Sequence, residues 1–132
     1  MSVPCEIAVK CALPAVRAMI AKELTTKHSL KQADAAKLLG VSQPAISLYH
    51  RQMRGKAMDL EDDSDVKDLI IKLACRLSQD NLSHSEFLSD LCYICKTIRT
   101  KGLLCAMHKT FDPAIDTEHC KLCTSMNLTQ CI

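Results

Sequence analysis

Cysteine is the residue type in this sequence with the clearest chemical potential. The chain has 132 residues and nine cysteines, five of which fall between positions 92 and 123. Thiolates bind soft and borderline metals, so clustered thiols are candidate ligands of an iron–sulfur cluster or of zinc. The candidate metal ligands are Cys92, Cys95, Cys105, Cys120 and Cys123.

The spacing of these five cysteines predicts how they could meet. Cys92 and Cys95 are three residues apart in a segment that we expect to be helical, so both thiols project to one side of it. Cys105 follows just beyond the predicted end of that helix, and a second C-x-x-C falls in a predicted loop. We therefore expect the ligands to be Cys95, Cys105, Cys120 and Cys123, with Cys92 as a substitute or fifth member.

The spacing leaves the kind of centre open. Zinc would accept four thiolates, or three thiolates with His108 or His119 as the fourth ligand. Iron–sulfur clusters take four cysteines in most cases, but the spacing closely matches neither the ferredoxin patterns nor a compact zinc ribbon. A metal-free alternative is a reversible disulfide that responds to redox state.

The expected compartment favours a metal-binding or redox role for the clustered thiols. The opening "MSVPCEIAVK" lacks a basic region followed by an apolar stretch, so we predict no secretory signal. No apolar run is long enough to predict a transmembrane helix. We expect a cytoplasmic protein, in which stable disulfides are uncommon. Outside the cluster, we interpret Cys11, Cys75 and Cys131 as packing or incidental thiols.

Composition predicts an all-α protein with two differently charged halves. Apolar residues make up 48% of the chain, yet it has only two Phe, two Tyr and no Trp. Ala, Leu, Ile and Met must therefore fill the core, and these residues favour helices. Residues 1–56 have nine Lys and Arg against three Asp and Glu, whereas residues 57–132 have eight against twelve. This asymmetry suggests that the basic half meets a polyanion.

Local signals predict where several helices begin and end. Pro14 suits a helix start, because its missing N–H would be unpaired there. Two capping boxes, "SLKQ" and "SHSE", predict helix starts at Ser29 and Ser83. Gly40 is predicted to end the second helix in a left-handed conformation, and Ser42 to cap the third.

Apolar stripes predict two further helices in the second half. The stripe of the first suits a partner helix, so we expect the interface of a homodimer there and on the next helix. The next helix is expected to stop near Gly102, before a loop region with room for one short helix. The first stripe consists of Val66, Leu69, Ile70, Leu73 and Leu77. The buried side of the second helix is predicted to contain Phe87, Leu88, Leu91, Ile94, Cys95 and Ile98.

The segment "LKQADAAKLLGVSQPAISLYHR" has the pattern of two short helices joined by a tight turn. In such a pair the first helix braces across the DNA backbone and the second enters the major groove. The small Ala36 permits a close crossing, and a shared core is expected from Ala35, Leu39, Val41, Ile46 and Tyr49. The segment resembles the helix-turn-helix of the phage-repressor (Cro-type, XRE) family. With the opening "PCEIAVKCALPAVRAMIAKEL" and the later cysteine spacing, the chain resembles archaeal predicted transcriptional regulators that have a cysteine-rich tail.

This resemblance implies a dimeric regulator that binds double-stranded DNA through residues 1–57. Residues 58–132 would form a helical dimerisation and cysteine-rich region, with a 4Fe–4S cluster favoured over zinc and Cys5 as a candidate ligand from a partner chain. Gln43 can pair bidentately with adenine. Leu48 departs from the longer polar residue that such families often have, and could contact a thymine methyl. The implied DNA-contacting residues are Gln32, Gln43, Pro44, Ser47, Leu48, Arg51, Arg54 and Lys56.

Two other functions compete with this interpretation. One is a protein-interaction adaptor held together by structural zinc, and the other is a thiol–disulfide regulator without metal. An enzyme is not expected, because the sequence has no nucleotide-binding loop, no paired catalytic carboxylates and no nucleophile motif.

Overall fold

The computed structural model describes residues 3–50 and 60–116 together with residues 118, 120 and 123, apart from the side chains of Pro4 and His50. Helices are the only regular secondary structure of these residues, which confirms the all-α prediction. None of the described helices has the length and apolar character needed to cross a membrane. The elements are α1 (Pro4–Ile7), a π-helical segment (Ala8–Ala12), α2 (Leu13–Thr26), α3 (Gln32–Leu39), α4 (Gln43–His50), α5 (Ser64–Ser78), α6 (His84–Thr100) and α7 (Cys105–Phe111).

The first helical stretch is longer than predicted. The chain is helical without interruption from Pro4 to Thr26, whereas no helix was predicted before Pro14. The prediction that Pro14 suits a helix start is confirmed for α2, which begins at Leu13 with Pro14 in its first turn. The N–H of Leu13 donates to the carbonyl of Ala8, five residues back, which makes a widened turn. Proline has no N–H and cannot continue the α-helical ladder, and the widened turn directly before Pro14 accommodates it.

Two predicted caps are confirmed. The hydroxyl of Ser42 accepts from the backbone N–H three residues later, at 3.3 Å, and begins α4. The hydroxyl of Ser83 accepts from the N–H of Glu86 at 3.2 Å and begins α6. The carboxylate of Glu86 pairs with Arg76 of α5 at 3.3 Å, so its side chain joins two helices.

The predicted cap at Ser29 is wrong. Helix α3 begins at Gln32, after an extended Lys31, and no side chain caps it. Ser29 has a φ of +57°, and the N–H of Leu30 donates to the carbonyl of Leu24 at 3.1 Å. The turn around Ser29 therefore completes the end of α2, because this hydrogen bond satisfies a carbonyl that would otherwise be unpaired at the helix end.

One hydrophobic core joins the two halves of the chain. Helix α2 packs against α3 and α4 on one side and against α5 on another. Ile20 of α2 and Ile46 of α4 are fully buried, and Ile70 of α5 is 1% exposed. The predicted domain boundary at residues 57 and 58 lies outside the described residues and stays a prediction, but the core continues across it.

The apolar stripe of α5 lies inside this core. Its side chains are covered by residues of the same chain, chiefly from α2 and α6. The prediction that the stripe forms the interface of a homodimer is therefore wrong, because a face already buried cannot also meet a partner. Of the predicted stripe, Leu69 is half-buried and the others are buried, namely Val66, Ile70, Leu73 and Leu77.

Helix α6 presents a narrower buried side than predicted. Leu88 is 47% exposed, because the buried side follows Phe87, Leu91, Ile94 and Ile98, at helical spacing. The helix ends at Thr100, close to the predicted Gly102, whose φ is +73°. One short helix, α7, follows as expected and packs against α1.

Replacement of Ile70 by Ala should lower the free energy of unfolding by about 2–5 kcal/mol, because it leaves a cavity between α5 and α2. The measurement is urea denaturation at low and at high protein concentration. We expect the same loss at both, since the cavity lies within one chain. Leu88→Ala is the matched control and should cost less than about 0.5 kcal/mol. A loss for Ile70→Ala that depends on concentration would place the stripe at a subunit interface.

Candidate functional site

The first candidate site is the outer surface of α3 and α4. The two helices pack on each other and on α2, and their inner side chains form the predicted shared core. Gly40, with a φ of +68°, makes the turn between them, as predicted. Val41 is half-buried, and the other members are buried, namely Ala35, Ala36, Leu39, Ile46 and Tyr49.

The first turn of α4 is open to solvent. The cap at Ser42 fixes where the helix starts, and Gln43 and Pro44 directly after it are exposed. Ser47 and Leu48 are half-buried, so they face outward less than predicted. The amide of Gln43 can both donate and accept hydrogen bonds.

Gln32 and two lysines lie in or directly before α3. Gln32 is the first residue of α3 and is half-buried. Two lysines of the same region, Lys31 and Lys37, are exposed, which adds positive charge beside α3. The three basic residues predicted to follow α4 lie outside the described residues; they are Arg51, Arg54 and Lys56.

The second candidate site is the group of thiols around α6 and α7. Cys92 is exposed and Cys95 half-buried on one side of α6. Cys105 is the first residue of α7, three residues after the left-handed Gly102. Cys120 and Cys123 are both half-buried. All eight described cysteines have free thiols, and Cys131 lies outside the described residues.

Burial and electrostatic interactions raise the pKa of two of these thiols. Burial raises the pKa of the Cys95 thiol; the charge of Arg99 opposes this shift, and the thiols of Cys5, Cys92 and Cys123 add to it. Burial also raises the pKa of Cys105, and Cys123 and Cys120 raise it further. Cys123 therefore lies within electrostatic range of both Cys95 and Cys105.

The sequence did not predict that Cys5 and Arg99 of the same chain lie in this region. Cys5 was expected to contribute from a partner, but its sulfur accepts a hydrogen bond from Nη1 of Arg99 of the same chain at 3.7 Å. Arg99 is buried, at 5% exposure. It follows Cys95 by four residues, a spacing that places both on one face of α6 and could have indicated it.

A cavity of about 330 Å³ opens between α6 and the first helical stretch. Three thiols and the buried guanidinium line it, together with apolar side chains of both elements. The lining residues that could do chemistry are Cys5, Cys92, Cys95, Lys96 and Arg99.

The described thiols do not form a ready-made metal site. Zinc needs its ligands to converge on one point, with sulfurs about 2.3 Å from the metal. Among residues 3–50, 60–116, 118, 120 and 123, no three His, Cys, Asp or Glu side chains converge in this way. The predicted ligand set and the choice between a cluster and zinc stay predictions.

Of the two alternative histidine ligands, one lies among the described residues. His108 lies on α7 and is buried, at 6% exposure. His119 lies outside the described residues. Cys11 is 1% exposed in the core, which confirms its interpretation as a packing thiol.

In comparisons with known proteins, no family model matches this chain, and neither a curated protein nor a solved structure shows significant similarity to it. The functional assignment therefore depends on the residues of the chain itself.

In metal-free protein, iodoacetamide should modify Cys92 before Cys95, with Cys11 last. Cys92 is exposed, whereas burial raises the pKa of Cys95 and of Cys11 and leaves less reactive thiolate at neutral pH. Each unit of pKa increase lowers the thiolate fraction at neutral pH by roughly tenfold. Peptide mass spectrometry over time measures the order, and equal rates for Cys92 and Cys11 would contradict the described burial.

Proposed function

We propose that this chain is a DNA-binding regulator of transcription whose binding is modulated by a cysteine-ligated 4Fe–4S cluster. The observation that carries the DNA-binding part is the arrangement of α3 and α4. Two eight-residue helices are joined by a turn at Gly40, share a core, and leave the first turn of the second helix exposed. This geometry suits a brace helix followed by a recognition helix.

Exposed side chains of this region have the chemistry that DNA recognition requires. The amide of Gln43 can donate to and accept from the edge of an adenine in the major groove. Lys31 and Lys37 can neutralise phosphates, which contributes affinity but no sequence preference. The buried contacts of α3 and α4 with α2 hold these groups on a rigid support.

The regulator is proposed to act in the cytoplasm as a homodimer. One recognition helix covers too few base pairs for useful specificity, and two-fold symmetric dimers meet two half-sites. Because the α5 stripe is buried within the chain, the dimer interface must use another surface.

The centre is proposed to be held by thiolates from α6, from the start of α7 and from the tail. When bound, a 4Fe–4S cluster supplies a redox-sensitive link between its ligands. Cys95 would fix α6, and Cys105 would fix the first turn of α7. Binding releases a proton from each thiol, and loss of the centre would free the elements that the thiolates tie together. The proposed ligands come from Cys92, Cys95, Cys105, Cys120 and Cys123.

Replacement of Gln43 by Ala should weaken binding to a selected duplex by about 1–3 kcal/mol and relax its sequence preference, because a base contact is lost. Fluorescence anisotropy against the selected duplex and a scrambled one measures both effects. Gln79→Ala is the control, since Gln79 is exposed at the end of α5. Affinity should also fall steeply with salt. The absence of duplex binding at low salt, in every metal state, would exclude a DNA-binding function.

The double replacement of Cys120 and Cys123 by Ser should abolish the centre, because it removes both thiols of the tail. Anaerobic purification, visible absorption, and iron, sulfide and zinc analysis measure this. Replacement of Cys75 by Ser is the control and should leave the metal content unchanged. A double variant with full metal stoichiometry would remove these residues from the site. Zinc without iron in the wild-type protein would make the centre a zinc site.

A further inference from the structure

The cavity between α6 and the first helical stretch has the size of a small-ligand site. Its volume is about 330 Å³. Ligand sites in proteins typically occupy about 300–1,000 Å³, and an apolar cavity of about 150 Å³ is enough to bind benzene. The space between the two elements therefore has room for a small organic molecule.

Apolar side chains form much of the wall of this cavity. On the first helical stretch, Ala8 is buried and Leu13 is half-buried. Val9 of the same stretch and Tyr93 of α6 also line the cavity, although they are 62% and 58% exposed. Exposed apolar side chains that frame one concave space are typical of a binding site. The wall therefore favours an occupant with an apolar body.

The charged side chains that line the cavity are both positive. Lys96 and Arg99 are three residues apart on α6, and none of the described lining residues is Asp or Glu. The two carboxylates of α6, Glu86 and Asp90, both pair with Arg76 of α5 instead. The cavity is therefore complementary to an anionic group.

The two cations of the cavity differ in what they can offer to a ligand. Lys96 is half-buried, and its ammonium pairs with no carboxylate of the described residues. Arg99 is buried and already has contacts within the chain, among them the hydrogen bond from Nη1 to the sulfur of Cys5 at 3.7 Å. Arg99 therefore adds positive charge from a fixed position, and Lys96 supplies the donor.

We propose that this cavity binds a small carboxylate with an apolar body, the chemistry shared by medium-chain fatty acids and simple aromatic acids. The apolar body would lie against Ala8, Leu13 and Tyr93, and the carboxylate would accept from the ammonium of Lys96. One available ammonium matches one negative charge, which favours a carboxylate over a doubly charged phosphate. This site is additional to the proposed function and does not depend on a metal.

The test titrates the metal-free full chain with octanoate and with phenylacetate in a calorimeter. Octanoate should bind about tenfold more tightly than octanol, because the alcohol lacks the charge that meets Lys96. Affinity should rise about fourfold for each CH₂ group added between butanoate and octanoate, as long as the added group is buried. The acid that binds more tightly identifies the apolar body as aliphatic or aromatic. Absence of binding by both acids at millimolar concentration, or equal affinity for octanoate and octanol, would overturn the proposal.

Replacement of Lys96 by Gln should weaken octanoate binding about tenfold and leave octanol binding unchanged, since only the charged contact is lost. Lys72→Gln is the matched control, because Lys72 is exposed on α5 and does not line the cavity. Full octanoate affinity in Lys96→Gln, or an equal loss in both variants, would contradict the role of Lys96.

A second pair of variants tests the position of the site with an added negative charge. Val9→Asp should weaken octanoate binding, because it places a carboxylate among the lining residues. Val3→Asp is the control, since Val3 is 54% exposed and lies outside the lining. Both positions are exposed, so both variants should keep their helical circular dichroism. Unchanged octanoate affinity in Val9→Asp would place the ligand elsewhere.

The thiols of the cavity provide a footprint of the bound ligand. Octanoate at ten times its dissociation constant should slow the reaction of Cys5 and Cys92 with iodoacetamide by up to about tenfold, because both line the cavity. The rate at Cys75, which lies on α5 outside the lining, should not change. Unchanged rates at Cys5 and Cys92, or equal slowing at all three thiols, would overturn the cavity as the site. Either result would leave the duplex-binding and metal measurements of the proposed function in place.

Discussion

Burial of the inner face of α2 is the constraint on which the other elements depend. Val16, Ile20 and Leu24 are at most 1% exposed, and α2 packs against α3, α4 and α5. Each such side chain contributes about 1.5–3 kcal/mol when it is buried. Three of them together are comparable with the whole net stability of a domain, about 5–15 kcal/mol. The α3–α4 surface therefore cannot separate from α2 without loss of the fold.

The same helical stretch continues in the other direction to the thiols. From α2 it runs back through the widened turn of residues 8–12 to Cys5, beside the buried guanidinium of Arg99. A π-helical turn is a common place for a helix to absorb a change in register or direction. In the proposed account, the thiol region and the α3–α4 surface are joined by one continuous element, and no separate linker is needed to couple them.

Features that depend on residues close together in the sequence could be predicted, whereas contacts between distant positions could not. Gly40 and Ser42 make their turn and cap with atoms within a few residues, and both were predicted correctly. Serine often caps helices, but the left-handed turn at Ser29 completes the end of α2 instead. A four-residue motif carries no information about how the preceding helix ends. The periodicity of α5 predicted a buried face but not which surface covers it. Cys5 and Arg99 are 94 positions apart, so only the fold brings them together.

The central claim is that the thiol centre is coupled to the DNA-binding surface. The most direct test compares the DNA affinity of one preparation in two metal states. The full chain, loaded with the cluster or metal-free, is titrated anaerobically against one selected duplex at constant salt. The account predicts affinities that differ by about fivefold or more between the two states, the lower limit of typical coupling free energies of 1–3 kcal/mol. Equal affinities in the two states would contradict it.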